Sequence, residues 1–244
     1  MTRLVHAELL KLLSTRLLTW LGLLTLALVA LLLSLTAANN SADEIARAGH
    51  QRDLVAFAAA SALVALILGI VASSGEYAHD TIGHTFLVSP VRERVVAAKL
   101  LAGTFTGLVL GACATAVSLA LTALWISVKS VPSHLGSHEI LLAVPGMLAA
   151  AAIAAAIGVG FGALLRRQTG SIVLALIWLL VGEPLLGVTG IQRYAPGHAI
   201  AAVADAGRQS GELLRFWPGT LVALVYAAVL AVAGALAVAR TDVS

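Results

Sequence analysis

The stretch ILLAVPGMLAAAAIAAAIGVGFGALL, residues 140–165, runs for 26 positions without an ionisable side chain. An α-helix rises about 1.5 Å per residue, so about 20 apolar residues cross the roughly 30 Å hydrocarbon layer of a bilayer. A helix that faces water needs a polar stripe, and this stretch has none. It therefore predicts a membrane-spanning helix.

The same length test identifies five further segments, at 17–38, 54–74, 100–128, 171–190 and 220–239. Only the segment 171–190 contains an acidic or basic residue, which is Glu183. The chain is therefore expected to be an all-α integral membrane protein, with six transmembrane helices in a single domain covering residues 1–244.

Composition supports this class. Hydrophobic residues make up 60% of the chain and charged residues 11%, against about 45–50% and about 25% in soluble domains. These values exclude a soluble globular enzyme, a disordered chain and a disulfide scaffold. The net charge of +3 comes from basic residues beside apolar runs, which indicates headgroup anchoring and not nucleic-acid binding.

The distribution of basic residues predicts the orientation. The side that carries both termini holds nine of the 15 Lys and Arg residues, including the short Arg166-Arg167 turn, and the other side holds six. Basic residues are enriched on the cytoplasmic side of membrane proteins. Both termini are therefore expected in the cytoplasm.

Small residues recur every four positions in two of the spans. Gly103, Gly107 and Gly111 follow this spacing in the third span, and Gly158 and Gly162 in the fourth. Small residues at this spacing let membrane helices approach closely. Two interpretations are open, packing within the chain and a seam between two copies.

Residues 3–16 have the pattern of an amphipathic helix. Its apolar arc contains Val5, Leu9, Leu12 and Leu13, and the opposite side contains Glu8, Lys11, Ser14 and Thr15. Such a helix lies in the plane of the membrane interface. A simple anchor and a surface for a cytoplasmic partner both fit.

The loop GEYAHDTIGHTFLVSPVRERVVAAK, residues 75–99, concentrates ionisable groups on the cytoplasmic side. Asp80 can cap a short helix starting at Thr81, on which Ile82 and Phe86 share one face. Apolar residues on a water-facing loop favour docking to another protein; a solvated connector lying on the headgroups is the alternative. Pro90 starts the next helix, and the charged stem of the loop is formed by Glu76, Arg92, Arg94 and Lys99.

Glu183 stands out because buried carboxylates are costly in membranes and often functional. Gly182 and Pro184 flank it, and Pro184 cannot donate a helical hydrogen bond. We expect the helix to break there, with Glu183 near the outer interface. It either forms a structural ion pair or lines a transport pathway.

No catalytic motif accompanies these features. The three lysines, Lys11, Lys99 and Lys129, do not follow glycine, so no phosphate-binding loop is present. Metal-ligand and nucleophile sets are also missing from the sequence. The chain is therefore not expected to be an enzyme or to bind a metal or cofactor, and its energy would come from a partner or a gradient.

Four sequence segments resemble the permease subunits of type-2 bacterial ABC exporters. They are AELLKLLSTR at 7–16, EYAHDTIGHTFLVSPVRERVVAAKLLA at 76–102, EPLLG at 183–187 and RYAPGHAIAAV at 193–203. Together with six spans, the resemblance covers the whole chain. It departs from the family at Gly83-His84, where many relatives are more basic.

The resemblance implies a division of labour in a bacterial cytoplasmic membrane. Residues 3–16 would be an elbow helix. The segment Asp80–Ser89 would be a coupling helix seated on a separate cytosolic ATPase that binds ATP-Mg, with Glu76, Arg92, Arg94 and Lys99 transmitting its motion. A second permease copy or paralogue would complete the path. Two other functions stay open: a gradient-driven transporter using Glu183, and a non-transporting scaffold or immunity subunit.

Overall fold

The computed structural model describes residues 2–78, 92–206, 211 and 213–239, and all regular secondary structure in these ranges is helical. A short helix, α1 (Thr2–Ser14), precedes the long helix α2 (Arg16–Asn39). The helices that follow are α3 (Ala42–Ile45), α4 (Ala48–Ala56), α5 (Ser61–Ala78), α6 (Arg92–Val128), α7 (His138–Leu165), α8 (Gln168–Ile177), α9 (Glu183–Leu185), α10 (Pro196–Ala204) and α11 (Phe216–Ala239).

Short turns of other helical types make two of the spans continuous. A 3₁₀ turn at Phe57–Ala60 joins α4 to α5. A π-helical turn at Trp178–Gly182 joins α8 to α9, and a 3₁₀ turn at Leu186–Thr189 follows.

Six helical segments are long and apolar enough to cross a membrane, which confirms the predicted number and order of spans. They are Leu18–Asn39, Ala48–Tyr77, Glu93–Val128, His138–Leu165, Gln168–Thr189 and Phe216–Ala239. By length and composition, the chain is a multi-pass membrane protein.

The second and third spans start earlier than the sequence predicted. The second begins at Ala48 and not at 54, so that it includes Arg52. The third begins at Glu93 and not at 100, so that Arg94 and Lys99 lie inside a helix. Hydropathy marks only the apolar part of a helix, whereas backbone hydrogen bonding continues through the charged residues at its ends.

Helix α7 lies at the centre of the bundle, where it packs against α5, α6, α10 and α11. Its central position explains its composition, because a helix surrounded by other helices needs small side chains on several faces. Alanines of α7, including Ala150, Ala151 and Ala154, are buried in the largest hydrophobic cluster.

The five glycines singled out from the sequence all lie at close approaches within the chain. A Cβ atom at Gly107 would lie 2.6 Å from the carbonyl oxygen of Ala151, and one at Gly162 would lie 2.7 Å from that of Ile70. The others are similarly close to neighbouring helices: Gly103 to Val159, Gly111 to Ala151 and Gly158 to Leu66. These glycines therefore set the distances between α5, α6 and α7.

Replacing Gly158 with alanine is expected to destabilise the bundle, because the added methyl group would overlap the backbone of Leu66 and Ile70. Overpacking of this kind costs about 1–3 kcal/mol. Gly22 in α2 is the matched control, since nothing lies within 4 Å of the position of its added Cβ; Gly22→Ala should be neutral or stabilise by about 0.5–1 kcal/mol. Thermal unfolding in detergent measures both, and equal stability of the two variants would contradict the packing described.

Tertiary contacts define two ends of the bundle. At one end, which we call the α1 end, the Arg166 guanidinium donates to the Ala237 carbonyl at 3.0 Å, joining the ends of α7 and α11. At the other, the α10 end, Gln51 Nε2 donates to the Pro132 carbonyl at 2.8 Å. Because the number of spans is even, the last helix, α11, ends at the α1 end, where the first helix also lies.

Candidate functional site

Four charged side chains meet at the α1 end, and we call them the charged cluster: Glu8, Lys11, Glu76 and Lys99. The Lys99 ammonium lies 2.7 Å from Glu8 and 2.8 Å from Glu76. The Lys11 ammonium lies 2.9 Å from each of the same two carboxylates. Each lysine therefore bridges both glutamates, and the four formal charges cancel.

The charged cluster extends from the protein interior to its surface. Glu8 and Lys99 are each only 4% exposed, and Lys99 Nζ also lies 3.3 Å from the Ala72 carbonyl oxygen. Lys11 is the exposed member. Burial lowers the pKa of Lys11, but its hydrogen bonds to Glu76 and Glu8 and the negative charges of these carboxylates together outweigh this effect, and the pKa is raised above its usual value.

Three helices contribute to the charged cluster. Glu8 and Lys11 lie one turn apart on α1, Glu76 lies in the last turn of α5, and Lys99 lies near the start of α6. Helices α5 and α6 are the two elements that flank the segment 79–91. The charged cluster therefore fastens α1 to the helices on both sides of that segment.

The predicted coupling residues fall into three groups. Glu76 and Lys99 are brought together by the charged cluster, and Arg94 is exposed on α6. Arg92 is the first residue of α6. The remaining predicted residues, Asp80, Thr81, Ile82, Phe86 and Pro90, lie outside the described residues.

The polar side of α1 differs from the sequence prediction. Glu8 was expected to face water, opposite the apolar arc, and it is buried instead. Leu13, which was assigned to the apolar arc, is exposed, as is Leu10. The departure is confined to these residues, because Lys11, Ser14 and Thr15 are exposed and Val5, Leu9 and Leu12 are partly buried, as predicted. Glu8 is buried because Lys99 supplies a counter-charge for it.

Glu183 forms a second polar site at the junction of the fifth span and α10. Glu183 is buried, with 2% of the residue exposed. It accepts hydrogen bonds from the Trp178 indole at 3.1 Å, from the Gly197 amide at 2.7 Å and from the His198 amide at 3.2 Å. His198 Nδ1 lies 2.9 Å from the same carboxylate.

The Glu183 carboxylate thus caps the first turn of α10, where free backbone amides and the helix dipole favour a negative charge. The approach requires Gly197, since a Cβ atom there would lie 2.7 Å from Glu183 Oε2. These contacts describe a hydrogen-bonded cap of α10, with His198 as the side chain in the described structure that could form an ion pair with Glu183.

The helix does not break at Gly182 and Pro184, contrary to the sequence prediction. The Glu183 amide donates to the Trp178 carbonyl five residues earlier, and helical structure continues through Leu185. A π-turn contains one residue more than an α-helical turn, and this local adjustment lets the helix continue through Pro184.

A partly open cavity of about 530 Å³ lies beside the Glu183 site, between α5, α7, α8, α10 and α11. Trp178 and Gly197 belong to both features, because they line the cavity and also bond to Glu183. The cavity lining is otherwise almost wholly apolar and includes Leu66, Ile157 and Tyr226.

A third polar site lies at the α10 end, where Arg52 Nη2 is 2.7 Å from Asp205 Oδ1. Arg52 is fully buried, and the same Nη2 donates to the Ala206 carbonyl at 3.3 Å. The pair joins α4 to the segment after α10. We expected Arg52 in an external loop and did not predict a partner for it.

Other participants of these sites were missed as well. Glu8 and Lys11 were assigned only to a polar face, and Trp178, Gly197 and His198 were not linked to Glu183. One signal was available but not selective: all three lysines, Lys11, Lys99 and Lys129, lie close in sequence to an end of a predicted span. Among the residues that the structure describes, no three potential metal ligands come together.

Comparison with known proteins found no protein-family model that matches the chain and no curated protein with significant similarity to it.

Proposed function

We propose that this chain is the membrane-spanning subunit of an ATP-driven bacterial exporter, coupled to a separate cytosolic ATPase through residues 75–99. The proposal rests on the resemblance of the sequence to permease subunits and on one structural observation. That observation is the charged cluster, which fastens α1 to both helices that flank the segment 79–91.

Coupling requires a rigid link between a surface that a partner moves and a bundle that changes its arrangement. Lys99 contacts Glu76 across the ends of α6 and α5, so a force applied to the segment 79–91 acts on both helices together. Glu8 and Lys11 include α1 in the same unit. In this proposal α1 is the elbow helix, and residues 80–89 form the coupling helix.

The proposed assembly contains two permease chains, either identical or paralogous, and an ATPase that holds ATP-Mg. The α1 end faces the cytoplasm, where the ATPase docks. This orientation places both termini in the cytoplasm and agrees with the excess of Lys and Arg on that side.

A gradient-driven transporter using Glu183 is less well supported. A carboxylate that carries protons has to change partners, whereas three hydrogen bonds from backbone and indole groups hold Glu183 in place beside its one titratable neighbour in the described structure, His198. No observation in the described structure favours a non-transporting scaffold or immunity subunit either.

The proposal predicts the behaviour of the double variant Ile82→Asp/Phe86→Asp. Charges at two apolar anchors should cost about 2 kcal/mol each at a docking interface, which lowers ATPase binding and transport by more than about tenfold. The measurement is co-purification with an ATPase that carries a Gly-x-x-x-x-Gly-Lys-Ser/Thr loop, sought first in the reading frames next to this gene, together with ATP-dependent efflux from vesicles.

His84→Asp is the control, because position 84 lies on the opposite side of the predicted short helix and receives the same charge. It should retain binding and transport. Membrane insertion should be equal for all variants. If the double variant binds the ATPase and transports as the unmodified chain does, the proposed coupling is wrong.

A further inference from the structure

We propose that the cavity between α5, α7, α8, α10 and α11 binds the hydrocarbon chain of a lipid drawn from the surrounding bilayer. This inference does not depend on the exporter proposal, since it concerns occupancy of one chain and needs neither ATP nor a second protein.

The chemistry of the cavity points to an alkyl chain. Its volume of about 530 Å³ is within the range of small-molecule sites, about 300–1,000 Å³. Leu66, Ile157, Phe161 and Leu230 are among the aliphatic and aromatic residues that line it, and polar surface is almost absent. An apolar cavity of this kind excludes water and takes up apolar ligands.

The position of the cavity opening indicates which molecules can enter it. Three residues that line the cavity are also 43–48% exposed at the protein surface: Leu63 of α5, and Leu174 and Trp178 of the fifth span. All three residues lie well inside their spans, Ala48–Tyr77 and Gln168–Thr189. The opening between α5 and α8 is therefore at the depth of the lipid hydrocarbon, and acyl chains are the molecules next to it.

The wall at this opening is held in place by polar contacts. The Trp178 indole donates to Glu183 at 3.1 Å, which fixes the orientation of the ring. Gly182 permits this orientation, because a Cβ atom there would lie 2.9 Å from the Trp178 ring. Glu183 in turn holds the start of α10, whose residues Ile200 and Ala204 form the opposite wall. The cavity is thus kept open by the Glu183 site.

The experiment uses the full chain in vesicles that contain a phosphatidylcholine with a photoreactive diazirine in the middle of one acyl chain. Labelled residues are identified by mass spectrometry. Leu66 and Ile157, which are buried except toward the cavity, should be labelled, as should the lipid-facing residues Leu224 and Val225 of α11.

Two neighbouring alanines give a matched pair of variants. Ala59 lines the cavity, whereas Ala60 is exposed and is not part of the lining. Ala59→Phe should reduce labelling at Leu66 and Ile157 at least fivefold relative to Leu224, and Ala60→Phe should leave it unchanged. Ala201→Phe fills the cavity from α10 and should act as Ala59→Phe does, which guards against a folding defect in either variant.

Three results would overturn the inference. The first is labelling confined to Leu224 and Val225. The second is an equal effect of Ala59→Phe and Ala60→Phe. The third is labelling of Leu66 and Ile157 only when an ATPase partner and ATP are added, which would indicate a transported substrate and not a resident lipid. A failure of the ATPase to bind leaves the labelling result intact, so the two proposals are tested separately.

Discussion

Lys99→Met is expected to lower the free energy of unfolding by about 3–5 kcal/mol, the range measured when one partner of a buried ion pair is removed. The variant leaves Glu8 and Glu76 sharing the single ammonium of Lys11, so that one buried negative charge is uncompensated. Methionine has a similar length and apolarity to the lysine stem, and the loss is therefore due mainly to charge. Thermal or denaturant unfolding of the detergent-solubilised chain measures it.

Two further variants test the cause of this loss. Arg94→Met removes a basic residue that is exposed on the same helix, and surface substitutions usually change stability by less than about 0.5 kcal/mol. Glu8→Gln/Lys99→Met restores neutrality and should recover about 1–2 kcal/mol relative to Lys99→Met, within the usual range of coupling energies. A Lys99→Met variant as stable as Arg94→Met would show that the charged cluster does not hold these helices together.

Glu183→Ala is expected to have an effect of similar size, about 3–5 kcal/mol. It removes the acceptor of the Trp178 indole and of the Gly197 and His198 amides, and each buried donor left unpaired costs about 1–3 kcal/mol. The stability of Glu183→Gln should lie between that of Glu183→Ala and that of the unmodified chain, because its amide oxygen can still accept a hydrogen bond while its amide nitrogen cannot.

The control for this series is Glu139→Gln, an exposed carboxylate in the first turn of α7. It should stay within about 0.5 kcal/mol of the unmodified chain. Trp178 gives a local readout once the other three tryptophans are replaced by phenylalanine, since its emission should shift when the hydrogen bond to Glu183 is lost. Equal stability of Glu183→Ala and Glu139→Gln, with unchanged emission, would contradict the site geometry.

Much of the helical framework could be predicted from the sequence. The six apolar runs are local features, and each is about as long as a membrane requires or longer, so their number did not depend on tertiary contacts. The glycines were also recognisable, because a four-residue spacing places Gly103 and Gly107 on one helix face whatever that face contacts. Which helix they contact was not predictable, and the structure places α7 against them.

For each of these two sites, the sequence identified some members but not their partners, for a related reason. Glu76 and Lys99 were singled out by their position beside the 79–91 segment, and Glu183 by its isolation inside a span. Their partners lie far away in the chain: Glu8 is 91 residues from Lys99, and His198 is 15 from Glu183. Pairs at such separations leave no periodic signal in a single sequence.

The sequence by itself therefore determined the solvent of this protein, since its apolar runs can be satisfied only in a membrane. Tertiary structure decided which polar side chains are buried and with which partners they pair. Glu8 faces inward because the buried Lys99 provides a counter-charge for it, although the hydropathy pattern alone placed Glu8 toward water. Likewise, Glu183 caps α10, and the cavity beside it exists because packed helices set the depth and rotation of every side chain, which no local pattern records.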